Sequence, residues 1–285
     1  MIGILEILSI GSGLSLQDAG RTGWRRFGVP SGGAMDQRSM ALANTLLGNP
    51  REAPILEIAQ QGVRLKVLQD VWVAVAGADF CGALPSGTAI PIRAGEVLSF
   101  DQKAAGLYAY LAVPGGFHSA KWLGSAATDL RNGMGQGLKK GDYLEAQRLL
   151  PSVSIRSIAR RISNEAQDHI QAHAAHFKLY PGPQHDTFSV QVRQQFIQNS
   201  WTVSAQSDRT GYRLEGEPLE VPKSIPSEPV LPGSFQVPGS GQPIITMVDG
   251  PTVGGYAKIA VLPASDLARL AQCAPGTNLT FSWLD

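Results

Sequence analysis

Short apolar runs recur along the chain, none of them reaching the roughly 18 residues that a membrane span needs. In the first half they are ILEIL (4–8), PILEIA (54–59), VRLKVL (63–68), VWVAVAG (71–77), EVLSF (96–100) and LYAYLAV (107–113). A second series follows at FKLYPG (177–182), WTVSAQ (201–206), YRLEG (212–216), PIITMV (243–248), KIAVL (258–262) and NLTFSWL (278–284). Turn residues bound these runs, so the pattern predicts many short strands in a closed or sandwiched β-architecture.

Helical periodicity is scarce. Asp36 is placed to cap a helix over 37–47, where Met40, Ala43, Leu46 and Leu47 share a face and Gly48 supplies the stop. Ser265 is placed to open a second helix over 266–273, with Leu267, Leu270 and Ala271 inward and Pro275-Gly276 ending it. A third, 188–198, carries Phe188, Val192, Phe196 and Ile197 at helical spacing, although its VQV also suits a strand. The stretch 152–176 is polar and weakly patterned, which predicts a connector between two subdomains, 1–151 and 177–285.

Residues 226–258 hold six prolines and six glycines, yet apolar runs such as PIITMVDG are threaded between them. Such a segment is no flexible linker. It predicts buried strands joined by tight turns, with Asp249, Thr252 and Tyr256 around Gly254-Gly255 at a strand end, where backbone can approach a ligand closely.

Composition narrows the partners. The 285 residues allow one large or two moderate domains and bury roughly three quarters of the unfolded surface. With 24 basic and 23 acidic residues, nothing suggests a nucleic-acid or anionic-membrane surface, and small molecules or proteins are the expected partners. Cys81 and Cys273 form no CxxC unit, and the start MIGILEILSIGSG lacks a basic region and a cleavage site. A cytosolic protein with free thiols is expected.

Several chemistries drop out: the chain has no GxxxxGK[ST] phosphate loop and no GxSxG nucleophile elbow. The loop 132–140, NGMGQGLKK, offers backbone N–H groups and lysine charge to a phosphate, but its glycine spacing matches no nucleotide fingerprint, and a surface turn suits it better. His169, His173 and His176 would share a helical face able to grip zinc, against the simpler reading of a solvated face. His118 and His185 stand alone. Asp18 and Asp36 could orient Arg21, with turn chemistry and the helix cap as the plainer account. In 207–213, SDRTGYR, Arg209 and Arg213 flank a turn and suit carboxylate, phosphate or a polarised carbonyl, or else a structural pair with Asp208.

The ordered set QDAGRTGWRRFGVPSGGAMDQRSMALANTLLGN, LEIAQQGVRL, AVAGADF, YAYLAVPGG, LGSAAT, LKKGD, GPQHD, SDRTGYRLEG, SEPVLPGSFQVPGSGQPI and DGPTVGGYAKIA resembles the allophanate hydrolase subunit 2 family, from about residue 3 to 283. This family includes carboxyltransferase subdomains A and B of urea carboxylase, the antagonist of the KipI kinase inhibitor, and the C component of bacterial 5-oxoprolinase. The resemblance implies a mainly β fold with a few helices, a cyclophilin-like β-barrel in two subdomains, A-like over 1–151 and B-like over 177–285. Because no biotin-carrier motif occurs, the resemblance is to the 5-oxoprolinase C component above the others. It implies ATP-dependent opening of a cyclic amide, with ATP and Mg at the level of the complex, a KipI-like B component and a LamB/YcsF-like A component. The alternatives it leaves are a regulatory KipI-binding protein and a biotin-dependent carboxyltransferase component. On this reading Arg209 and Arg213 bind carboxylate or phosphate, Gln236 meets the ring amide, and Asp249 orients a lysine, water or metal. Backbone around Thr252, Gly254 and Gly255 forms an anion nest, and Tyr256 walls the pocket.

Overall fold

A computed structural model describes residues 3–102, 105–147, 160–161, 170, 174–223 and 225–284. The chain divides into two compact units, one of residues 1–21 and 32–170, the other of 22–31 and 171–285. The polar connector is mostly outside the described residues, as are His169 and His173.

Ten strands of the first unit lie among the described residues. These are β1 (Gly3–Ile10), β2 (Leu14–Gln17), β3 (Ile55–Ala59), β4 (Val63–Val67), β5 (Val71–Gly77), β6 (Thr88–Ile92), β7 (Val97–Phe100), β8 (Tyr108–Ala112), β9 (Tyr143–Glu145) and β10 (Arg160–Arg161). They form a four-stranded sheet in the order β7-β4-β1-β9 and a six-stranded sheet in the order β10-β6-β5-β8-β3-β2. Side chains from both sheets share one core, where Ile4, Leu65 and Phe100 of the first join Val73, Val75, Leu111 and Ile58 of the second. Strand β5 is buried along its whole length because its alternate residues, Trp72, Ala74 and Ala76, face away from that core and are also covered. Helix α1 (Gln37–Leu46) packs on β5 and β8 and buries Met40, Ala43 and Leu46, the face its spacing predicts.

The entry to α1 is fixed by buried polar groups. Asp36 caps it, Oδ1 accepting from the Ser39 amide at 2.9 Å and Oδ2 from the Ser39 hydroxyl at 2.6 Å. The Asp36 amide donates to the Tyr110 hydroxyl at 2.7 Å, which donates to Glu57 at 2.8 Å, and Glu57 also accepts from the Met35 amide. Burial first, then the charges of Glu57 and Asp36, push the Tyr110 hydroxyl well above its usual pKa, so it stays a donor.

The second unit is a closed barrel. Its strands are β11 (Ala174–Pro181), β12 (Trp201–Val203), β13 (Gly211–Glu215), β14 (Glu228–Pro229), β15 (Ser234–Val237), β16 (Ile244–Thr246), β17 (Val253–Gly254), β18 (Ala257–Val261) and β19 (Asn278–Trp283). The barrel runs β11-β18-β15-β16-β13-β12-β19, and β19 closes it by pairing parallel to β11; β14 and β17 form a separate two-stranded ladder. The mainly β fold with a barrel and few helices is thus borne out. Phe196 of α2 (Val190–Gln198) stacks on Phe281 at 5.3 Å, and Phe281 meets Phe235 edge-on at 5.1 Å. The helical reading of 188–198 holds over 190–198, because Ser189 accepts from the Val192 amide and so caps the turn. The expected 266–273 helix is shorter: Ser265 lies inside a 3-10 turn rather than capping, and α3 covers Leu267–Ala271. Tyr212 anchors α3 by donating to the Ala271 carbonyl at 2.7 Å. Among the described residues no helix is long and apolar enough to cross a membrane.

The Asp36→Ala variant should lower the stability of the first unit by about 1–2 kcal/mol, the usual cost of a lost helix cap. Urea denaturation followed by far-UV circular dichroism measures this, with Asp36→Asn retaining most of the wild-type midpoint.

Candidate functional site

The barrel wall has two faces. Phe235, Val237 and Ile245 alternate into the interior, so Gln236 and Thr246 project from the outer face. A β-bulge in the β15–β18 pairing sets Gln236 directly opposite Lys258, which turns the lysine to that same face. All three are nonetheless buried, Lys258 to 2% exposure. The Gly/Pro-rich segment supplies the cover.

Residues 225–231 run over this outer face as a strap. The Ile225 amide bonds the Gly255 carbonyl at 3.3 Å, Glu228-Pro229 pairs with Val253-Gly254, and the Val230 amide bonds the Thr252 carbonyl at 3.0 Å. Arg25, from the segment 22–31, adds a clamp by donating through Nη2 to the Val230 carbonyl at 2.5 Å and the Pro251 carbonyl at 3.0 Å. Burial pushes the Arg25 guanidinium below its ordinary pKa. Its Nη1 is buried with no hydrogen-bond partner among the described residues.

Under the strap the polar groups form one network. Gln236 Nε2 donates to Thr246 Oγ1 at 2.8 Å, and Lys258 Nζ forms an ion pair with Glu228 Oε1. Gln184 Nε2 donates to the same Glu228 oxygen at 2.7 Å, while Gln184 Oε1 accepts from the Lys258 amide at 3.1 Å. Gln184 reaches this position because the chain turns at Gly182 hard against β18, where a Cβ would lie 2.8 Å from the Ala260 nitrogen. Gly254 lies close under the strap, where a Cβ would stand 2.8 Å from Gln236 Oε1 and 3.2 Å from Val230 Cγ2.

Arg209 and Asp249 lie beside this network. Arg209 donates through Nε to Asp249 Oδ2 at 2.7 Å and through Nη2 to Oδ1 at 3.0 Å, a two-pronged pair with Asp249 only 8% exposed. Gly250 connects the pair to the network, since a Cβ there would fall 2.7 Å from the Thr210 carbonyl and also strike the Thr246 methyl.

The structure therefore brings Arg209, Asp249, Gln236 and Gly254 together but rearranges their expected roles. Asp249 pairs with Arg209. Asp208 closes its own turn, its Oδ1 accepting from the Thr210 and Gly211 amides at 2.8 and 3.1 Å. Arg213 is exposed on β13 opposite Ile244. No nest forms at 252–255: Gly254 sits in a strand and neither it nor Gly255 has the left-handed φ that a nest alternates with right-handed turns. Tyr256 is half exposed. A depression of about 270 Å³ on the barrel unit is lined by Pro181, His185, Val190, Arg193, Gln194 and Trp283, none of them an expected site residue.

Other candidates have structural duties. His176 contacts the Thr280 and Ser282 hydroxyls through both ring nitrogens, and no group of three metal-ligating side chains occurs among the described residues. In the 132–140 loop, Asp129 accepts from the Asn132 amide, as a surface turn requires. Asp18 is tied to Ser125 Oγ at 2.5 Å and the Ala126 amide at 2.7 Å, and Arg21 donates to the Ala127 carbonyl. Cys81 and Cys273 are buried free thiols; burial raises both pKa values, Cys273 to about 12.

The family described as carboxyltransferase domain, subdomain A and B, matches residues 27–283. The chain belongs to this family. The C component of 5-oxoprolinase from Haemophilus influenzae is 36% identical over 98% of this chain and 90% of its own length. Among solved structures, the protein TTHA0988 superposes with a TM-score of 0.87 at 33% identity, covering 99% of this chain. The urea amidolyase of K. lactis superposes at 0.88 with 27% identity over 100% of it. The chain spans 56% of the TTHA0988 chain and 19% of the urea amidolyase chain. Lys258, Glu228, Gln184, Thr246 and Arg25 are members of the network and its strap that strand patterning misses. Lys258 heads the apolar run KIAVL, and a charged residue at the start of a buried strand is the available signal.

The Lys258 ammonium first, then the Gln184 amide, hold the Glu228 carboxyl below its ordinary value of 4.5. A depressed carboxyl pKa stabilises the folded state above the unfolded value and loses that contribution as pH falls through the lower folded value. The strap should therefore loosen below about pH 4.5. Hydrogen exchange at the Ile225 and Val230 amides, corrected for intrinsic rates, should show protection falling across that window in the wild type and staying flat in Glu228→Gln.

Proposed function

We propose that this chain is the C component of an ATP-dependent 5-oxoprolinase, which opens 5-oxoproline to L-glutamate together with the A and B components. The observation that carries this reading is the 36% identity to a 5-oxoprolinase C component along 98% of the chain. A lactam carbonyl resists water because nitrogen donates into it. Transfer of the ATP γ-phosphoryl group to that oxygen removes this protection; water then adds at the carbon, the ring nitrogen leaves as the amine, and a second water releases phosphate from the resulting acyl phosphate.

What such a sequence requires from protein is fixed donors where negative charge gathers on oxygen. In this reading Gln236, anchored through Nε2 on Thr246, faces the amide, and Arg209, held rigid by Asp249, supplies positive charge beside it. Gln236, Arg209 and Asp249 are the residues assigned to the chemistry. Arg213, Thr252, Gly254, Gly255 and Tyr256 form the surrounding substrate surface. ATP and Mg act in the assembled complex, with a KipI-like B component and a LamB/YcsF-like A component as partners.

Co-expression with the candidate B and A components, followed by an assay of glutamate release from 5-oxoproline, tests the reading. Release should require ATP and all three chains. Gln236→Ala should lower kcat/KM about tenfold, the usual effect of losing one neutral hydrogen bond to a substrate, beyond any fall in melting temperature. Stable association with the B component and no glutamate would favour the regulatory alternative, and transfer of carboxyl from carboxybiotin to an amide would favour the carboxyltransferase alternative.

A further inference from the structure

Lys258 and Glu228 are unequal partners. The lysine side chain is 3% exposed on a barrel strand, whereas the glutamate side chain is 37% exposed on β14, a two-residue strand outside the barrel. Gln184 donates to the same carboxylate oxygen from the turn that follows Gly182. Two donors, one cationic and both set by the barrel, thus converge on a carboxylate carried by a peripheral strap.

The geometry points to a carboxylate-binding subsite formed by Lys258 Nζ and Gln184 Nε2, occupied in the resting chain by Glu228 and taken over by the carboxylate of a small acidic amide when residues 225–231 lift. For the identity of that acid, the inference rests on the 5-oxoproline reading given above.

Three observations support the exchange. First, a buried ammonium stripped of its partner is strongly destabilising, so one carboxylate can leave only as another arrives, and the pair is preserved throughout. Second, Lys258 is the cross-strand partner of Gln236, and directly opposed residues keep their Cβ atoms about 4.5–5.5 Å apart on one face. In 5-oxoproline the carboxylate is borne by the carbon next to the ring nitrogen, so an amide at Gln236 directs its carboxylate towards Lys258. Third, among the described residues the strap is held by a two-residue ladder, its two flanking amides, the Arg25 clamp, the Leu231–Ser234 turn and the buried Val230 side chain, none of them part of the barrel ladders. Glu228 acts as a tethered competitor at an effective concentration on the order of millimolar. It would discriminate against neutral lactams, which bring no charge to replace it.

The test is a titration of the isotope-labelled 285-residue chain, following the Gln184 side-chain amide and the Lys258 ammonium by NMR with 5-oxoproline, 2-pyrrolidinone and acetate. Both carboxylates should move these signals and the neutral lactam should not. Glu228→Gln should lower the half-saturating concentration of the carboxylates by about tenfold, as expected when a charged intramolecular competitor is removed. Lys258→Met should abolish the preference for 5-oxoproline over 2-pyrrolidinone. A response to acetate without one to 5-oxoproline would uphold the subsite and overturn the 5-oxoproline reading. If Glu228→Gln gives no gain, or 2-pyrrolidinone moves the signals as well as 5-oxoproline does, the subsite itself is overturned.

Discussion

A lysine on the outer wall of the barrel has to be covered and paired at once. Lys258 lies too deep to keep its ammonium in water, so the surrounding chain must deliver a carboxylate and hold it there. Much of the local architecture follows from that demand. Glu228 needs a strand to carry it, that strand needs β17 to pair with, and β17 passes over Gln236 so closely that a Cβ at residue 254 would press on its amide. The turn at Gly182 presses Gln184 against β18 for the same purpose, and Arg25 holds the strap by its carbonyl at Val230.

The elements most legible in the sequence are those whose pattern is local. The cap at Asp36, the helix face of Met40, Ala43 and Leu46, and the alternation of VRLKV all report their environment within one segment. Strand β15 is less visible because SFQV is only four residues long and follows Pro232-Gly233 in a Gly/Pro-rich stretch, although its polar and apolar residues do alternate. Strand β6, TAIPI, carries Pro91, which reads against a strand although the structure seats it opposite Trp72. The Gly/Pro segment is ordered as its threaded apolar runs suggest, but the need for its glycines at 254 and 255 is steric approach, not the unusual φ values that a nest requires.

The candidate site divides along the same line. Arg209 and Asp249 stand out as polar groups at turns, yet their mutual pairing spans 40 residues and no spacing rule reveals it. The Glu228–Lys258 pair depends on a bulge in the β15–β18 register, a one-residue detail that reverses which face a side chain takes. Segment 22–31 belongs to the barrel unit although the chain on either side belongs to the other, and composition carries no trace of that exchange. Tertiary pairing, not propensity, decides each of these.

The parallel ladder between β11 and β19 makes the barrel unit dependent on its own last strand. During synthesis, segment 22–31 emerges early, but the carbonyls that Arg25 clamps lie 205 and 226 residues later in the chain. The first unit can therefore assemble around a ten-residue loop that has nothing to hold, and until Trp283 has emerged the edges of β11 and β12 stay open to any passing strand. Until that last strand is available, the barrel unit presents two unpaired edges that its own stability does nothing to cover.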